Sequence, residues 1–235
     1  MRGNNGTRNR DYLFINTLEA VKDYSTVKNY IVFRIVSGRD MDLTERVFTK
    51  AADLFVIYDI EARAGSGSFL KIGVTYDLME EWEISLSELH STALVNTQVL
   101  YPFVMRTLAN QLGLEDTEMG SPIYVLTNEE IRNGASVLLY TGMIEMLQSR
   151  FEEGFYILPS SVHEFLIVPK QEDMTVSQLQ NIVQTVNEYE VREEEYLSDQ
   201  VYRIRNGKLA IAKDEDQIPD VVEPDRSWSA ARMVS

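Results

Sequence analysis

Apolar side chains return at helical spacing from Asp11 to about Val36, through Leu13, Phe14, Leu18, Val21, Val27, Ile31 and Ile35. This spacing predicts two helices, broken or kinked at Ser25-Thr26, and then a short helix or turn over Leu43–Lys50. The period then changes. Asp53–Arg63 is rich in aromatic and β-branched residues, Gly65-Ser66-Gly67 follows, and Ser68–Tyr76 alternates again, which predicts a β-hairpin. Ser85 with Glu88 three residues on is a capping-box signature. It predicts a helix from Leu86 to about Gln111, with Leu89, Ala93, Asn96, Leu100, Val104 and Leu108 facing inward. Pro102 should kink or split that helix, and Gly113 should end it.

The second half continues the mixture. Ile123–Thr127 reads as a strand, and a helix is expected from Asn133-Gly134 to near Glu153, stopped by Gly154. Phe155–Leu158 and Glu164–Pro169 are apolar runs flanking Pro159-Ser160-Ser161-Val162-His163. Thr175 with Gln178 repeats the capping-box pattern ahead of a helix through Leu179, Ile182, Val183 and Val186. Leu197–Arg205 and Lys208–Ala212 are strand-like and joined by Asn206-Gly207, a strong hairpin signal. Hairpins and helices do not alternate regularly, so the expected fold is α+β: a mixed, mostly antiparallel sheet of hairpins with helices packed on it. Residues 1–10 are expected to be disordered, 11–212 to form a single α+β domain, and 213–235 to be an acidic mobile tail.

Charge narrows the partners. The 235 residues carry 37 acidic and 22 basic side chains, a net charge of −15. That argues against a broad nucleic-acid-binding face and against anionic membranes, and favours a basic protein partner. There is no cysteine and there are two histidines, which rules out thiolate metal centres and a His-rich site within one chain. No cofactor and no metal site is expected. No apolar run approaches the length of a membrane span, and no apolar stretch follows the polar, basic Met1–Arg10, so the expected location is the cytoplasm.

Pro159–Glu164 (PSSVHE) is the most unusual local composition, with two hydroxyls, an imidazole and a carboxylate in five residues. A catalytic reading makes Ser160 or Ser161 a nucleophile, His163 its base and Glu164 the orienting group. Geometry weighs against it: in an extended strand Ser161 and His163 share a face, whereas Glu164 points to the other. The plainer reading is a turn whose hydroxyls satisfy backbone groups. Asn96, Asn128 and Asn133 lie in or beside apolar stretches, and with His163 and Glu164 they are the candidate binding residues. Buried asparagines more often tie elements together than hold ligands. His90 is expected on the surface near a helix start. Tyr101, Met105, Tyr140, Met143 and Met146 read as core.

The ordered set Leu126-Thr127-Asn128, Asn133-Gly134-Ala135, ILPSSVHE (157–164), VNEYEV (186–191) and LSDQVY (197–202) resembles an uncharacterised bacterial family of Firmicutes, Clostridia above all, some of whose genes look to lie on mobile elements. WEISLSELHSTALVNT (82–97) and the first hairpin match that pattern too, so the resemblance covers about Thr26 to Ala212. It implies a fold and a bacterial origin and supplies no reaction. The relatives carry a longer region before the first matching helix, so the short basic start implies truncation or divergence. They also place Pro-His before the first strand, where this chain has Lys50-Ala51-Ala52-Asp53.

Together these observations favour a non-enzymatic interaction or regulatory protein of an accessory locus, with an anti-defence or nucleic-acid-mimic role as one version. The alternatives are a hydrolase built on Ser160 or Ser161 with His163, and a small-molecule sensor with a pocket between sheet and helices.

Overall fold

The computed structural model describes residues 13–15, 18–39, 42–64, 69–115, 122–172 and 174–214. The expectations for residues 1–10, for Gly65-Ser66-Gly67 and for the tail beyond residue 214 lie outside them. Two open sheets form, both mostly antiparallel, with helices packed on them. The α+β expectation holds, with two sheets in place of one.

The first sheet is organised by one long strand. β1 (Leu13–Ile15), β2 (Ile31–Val36), β3 (Phe48–Ala51) and β5 (Phe69–Gly73) all pair with β4 (Leu54–Ala64). Along one edge of β4 run β2 and then β1, the latter parallel; along the other run β3 and then β5. Alternation on β4 is strict. Leu54, Val56, Tyr58, Ile60 and Ala62 enter the main core, while Ile57, Asp59 and Glu61 face the opposite side. On β2 the same period sends Ile31, Phe33 and Ile35 into the core and turns Arg34 outward.

Ile31–Val36 is therefore a strand and not the end of a helix. The spacing of four between Ile31 and Ile35 satisfies a period of two as well as one of 3.6. Ahead of it, α1 (Tyr24–Val27) is a single turn between two 3-10 turns, capped by Asp23. Leu43–Lys50 is also not helical: Arg46 bridges to Thr75, and Phe48 opens β3.

After α2 (Tyr76–Glu81), Ser85 caps α3 (Leu86–Leu100), accepting the Glu88 amide at 3.1 Å. Pro102 ends that helix outright. The chain continues as β6 (Phe103–Thr107) and the short α4 (Leu108–Leu112), closed by Gly113 at φ 72°. The expected helix through Val104 is thus an edge strand. α3 covers the open edge of β2. Thr97 Oγ1 accepts the Phe33 amide at 3.0 Å, and Ser136 Oγ accepts the Ile35 amide at 3.2 Å. An exposed strand edge would otherwise leave these donors free to pair with another chain.

The second sheet adds to β6 the strands β7 (Tyr124–Asn128), β8 (Phe155–Ser161), β9 (Glu164–Pro169), β10 (Tyr202–Arg205) and β11 (Lys208–Ile211). They run in the order β11–β10–β8–β9–β7–β6. Phe155, Ile157, Phe165 and Ile167 join the core shared with the first sheet. Tyr156, Leu158 and Val168 turn the other way, onto Val176, Leu179 and Val183 of α6 (Val176–Tyr189), whose capping box at Thr175 and Gln178 is complete. Residues 134–153 are not one helix: a 3-10 turn over Gly134–Leu139 precedes α5 (Met143–Arg150), and Gly154 at φ 96° follows. Residues 197–201 lie outside the strand expected there. Asn206 and Gly207, both at positive φ, close the last hairpin. Asp53 ties the sheets, accepting Tyr202 Oη at 2.7 Å and Ser198 Oγ at 3.0 Å.

Candidate functional site

Segments far apart in sequence meet where β7, the 3-10 turn at Gly134 and the β8–β9 hairpin come together. Val162 and His163 form the two-residue tip of that hairpin, and Ser160 is bulged out between the pairs Pro159–Phe165 and Ser161–Glu164. The bulge undoes the face sharing expected of an extended chain. Ser160 Oγ donates to Glu164 Oε1 at 3.2 Å, and Glu164 Oε2 accepts Gln111 Nε2 at 3.5 Å. Ser161 Oγ accepts the backbone amide of His163 at 3.0 Å. Neither hydroxyl bonds to the imidazole.

The His163 ring is used elsewhere. Its Nδ1 accepts the Asn133 amide at 3.1 Å, which leaves the proton on Nε2, 3.2 Å from Glu195 Oε1. Glu195 also takes Arg192, whose guanidinium holds that carboxyl below its ordinary pKa. Both ring nitrogens are thus committed to positioning, and the imidazole ties the Asn133 turn to the segment after α6.

The asparagines divide similarly. Asn128 accepts the amides of Glu130 and Arg132 and donates to the Arg132 carbonyl at 2.9 Å, shaping the loop that ends at Asn133 in the left-handed region. Asn96 donates to the carbonyls of Lys28 and Ile31 at 2.7 and 2.9 Å, joining α3 to the start of β2. Gly134 has no room for a side chain: a Cβ there would lie 2.2 Å from Thr127 Oγ1 and 2.3 Å from the His163 carbonyl. His90 is not the surface residue expected. Its Nδ1 is 2.9 Å from Tyr58 Oη, its ring packs on Phe33 and Tyr58, and burial lowers its pKa. Tyr101, Tyr140 and Met143 are buried, as expected of core residues.

Beside His163 a cleft of about 800 Å³ opens between the two sheets. Arg34 lines it from β2, Arg39 from the segment after that strand, Asn133 and His163 from the hairpin junction, and Arg192 to Tyr196 from the segment after α6. Arg39 stacks over the Tyr196 ring at 4.1 Å and lies 3.9 Å from Asp199. Arg34 is anchored from behind. Its Nε donates to Asp59 Oδ2 at 2.7 Å, while Arg46 takes Asp59 Oδ1 and the Tyr58 carbonyl. Asp59 is buried, so two guanidinium groups share one desolvated carboxylate. Two positions along β4, Glu61 accepts the Tyr101 hydroxyl and pairs with Arg132 at 3.4 Å. Burial and the Glu61 charge push the Tyr101 phenol far above its ordinary pKa. The sequence reading missed this array. The signal was present in Asp59 and Glu61, acidic residues at alternate positions of an otherwise apolar strand.

A second feature is the outer side of α6. In a chain rich in charge, Glu188 is the only charged residue of its 14. Beside its buried face, Ile182, Val186 and Tyr189 are 56%, 39% and 73% exposed at positions i, i+4 and i+7. Glu190, Glu193 and Glu194 follow, all exposed.

Residues 7–205 match the model of a family of unknown function, DUF5688. The chain belongs to that family. No curated protein and no solved structure matches it. This DUF5688 chain has, among the described residues, no cluster of three or more His, Asp or Glu side chains placed to hold a metal ion. Nor, among them, is any helix long and apolar enough to cross a membrane.

Proposed function

We propose that this DUF5688 protein is a cytoplasmic, non-enzymatic interaction module that binds a protein partner with a basic rim through the exposed apolar stripe of α6. The observation that carries the reading is the exposed Ile182–Val186–Tyr189 stripe on a nearly uncharged helix. Cores of protein interfaces are depleted in charge and enriched in tyrosine, and the polar rim surrounds them. Here the rim is mostly carboxylate: Glu188, Glu190, Glu193 and Glu194 surround one exposed cation, Arg192, which pairs with Glu194. A partner segment presenting apolar residues flanked by Lys or Arg complements it. The net charge of −15 supports the same sign of partner. The engagement of both His163 nitrogens in positioning bonds favours binding over covalent catalysis at PSSVHE.

The test compares the purified protein with an Ile182→Glu/Tyr189→Glu variant as baits in a bacterial lysate, at low and high salt. The reading expects one partner with a basic surface, retained by the wild type at low salt, lost at high salt and absent from the variant. Recovery of the same proteins by both baits overturns it. So does sedimentation showing that the wild type self-associates and the variant does not, because the face would then be an interface between copies. A partner that itself binds nucleic acid would favour the mimic version of the reading.

A further inference from the structure

The cleft beside His163 adjoins the α6 stripe through Glu193 and Glu194, but its chemistry points to a different kind of ligand. Arg34 is fixed at its Nε by Asp59, and its side chain keeps 22% of its surface open. Among the described residues no carboxylate or carbonyl takes up its two terminal nitrogens, and the side chain lines the cleft. A guanidinium presents donors in a rigid fork that fits two oxygens of one carboxyl group. Asp59 cannot neutralise it alone, because the same carboxylate already serves Arg46. Arg39, held over Tyr196 and 3.9 Å from Asp199, adds a second cation to the lining. Two guanidinium groups thus line a concave space of the size that small molecules occupy.

Carboxylates line the same cleft: Asp42 follows Arg39 in the chain, and Glu193, Glu194 and Glu195 outnumber Arg192, which pairs with Glu194 and Glu195. A dense anion such as a phosphate group would meet them as well as the arginines. A ligand with one carboxylate, and an ammonium a few bonds away, would satisfy both signs of charge in the lining.

We propose that this cleft is a binding site for a small zwitterionic ligand of amino-acid or short-peptide type, its carboxylate received by Arg34 with Arg39 and its ammonium by the carboxylates of the 193–194 segment. The pre-anchored guanidinium is what makes the site. Its orientation is set by protein contacts before any ligand arrives, so little rotamer entropy is lost on binding.

The full chain, labelled with nitrogen-15, is titrated at constant ionic strength with three probes: glycylglycine, acetate and inorganic phosphate. Glycylglycine should shift the Arg34 Nε–H signal and the Asn133 and His163 amides saturably, at millimolar concentration. Acetate should move the same signals more weakly, and phosphate should not compete. Arg39→Gln, on a mostly exposed side chain, should weaken glycylglycine by about tenfold, the usual scale for one charge-assisted hydrogen bond. Arg34→Gln should abolish the saturable response. Its amide spectrum away from the cleft, compared with that of Arg39→Gln, reports whether the fold survives the change. Absence of a saturable shift with glycylglycine overturns the proposal. Preferential binding of phosphate, or an unchanged response in Arg39→Gln, overturns it equally.

Discussion

Gly134 offers the sharpest test of how the hairpin junction is built. Its φ lies outside the left-handed region, so substitution by alanine adds no backbone strain and the cost is one of space. The new Cβ would sit 2.2 Å from Thr127 Oγ1, 2.3 Å from the His163 carbonyl and 3.0 Å from the Asn128 amide nitrogen. Two of these neighbours are backbone atoms, which cannot step aside as the end of a flexible side chain can. Relief requires the β8–β9 tip and β7 to part by about an ångström, which breaks the 2.7 Å bond from Thr127 Oγ1 to the His163 carbonyl. Overpacking of this kind costs about 1–3 kcal/mol. A broken buried hydrogen bond adds about 1–3 kcal/mol. Loss of glycine's freedom in the unfolded chain returns about 0.4–1 kcal/mol. The midpoints of these terms put the destabilisation by Gly134→Ala at about 3 kcal/mol, read as a lower urea midpoint with an unchanged slope. For a chain of this length that corresponds to a fall in Tm of roughly 6–12 °C. The His163 and Asn133 amides should shift together in the same variant. A loss below about 1 kcal/mol would refute the reasoning, because the junction would then have slack that the distances deny.

The first sheet supplies two further predictions. Asp59→Asn should leave Arg34 and Arg46 without their shared counter-charge, at a cost near the lower end of the about 3–5 kcal/mol seen for broken buried pairs, since both guanidiniums keep some solvent contact; urea unfolding that matches wild type would show the pairing to be dispensable. His90 is held below its ordinary pKa by burial, so the unfolded chain takes up its proton first as pH falls. Its stabilising contribution is complete above the unfolded value of about 6.5 and is lost as pH falls through it toward the folded value. His90→Phe should flatten the decline in urea midpoint between about pH 8 and 5, and an equally steep decline would assign that slope to other groups.

Much of the architecture was readable in the chain. Local chemistry decided it in several places: the hydroxyl caps at Ser85 and Thr175, the Asn206-Gly207 turn, Gly113 as a helix stop, and the alternation of residues 54–62. Where the reading failed, the spacing itself was ambiguous. Ile31 and Ile35 lie four apart, and so do Val104 and Leu108. An even spacing fits either period, and only the neighbour settles it: β4 pairing with residues 31–36, and β7 pairing with residues 103–107. Of the candidate site, Asn133 and His163 were named from composition, but as parts of different elements with unknown company.

The sequence by itself determined the α+β class, the last hairpin closed by Asn206-Gly207, the capped helices and the strongly acidic balance, because each depends on contacts within a few residues or on a sum over all of them. Tertiary structure alone decided that Arg34 would be pinned by Asp59. Their strands are paired so that Arg34 stands opposite Ile57 and diagonal to Asp59, a relation fixed by register and not by separation in the chain. It also decided that His163, Asn133 and Glu195 would meet at one cleft. Bringing together groups about 30 residues apart requires the whole core shared by the two sheets, since no local interaction is strong enough to close such loops alone.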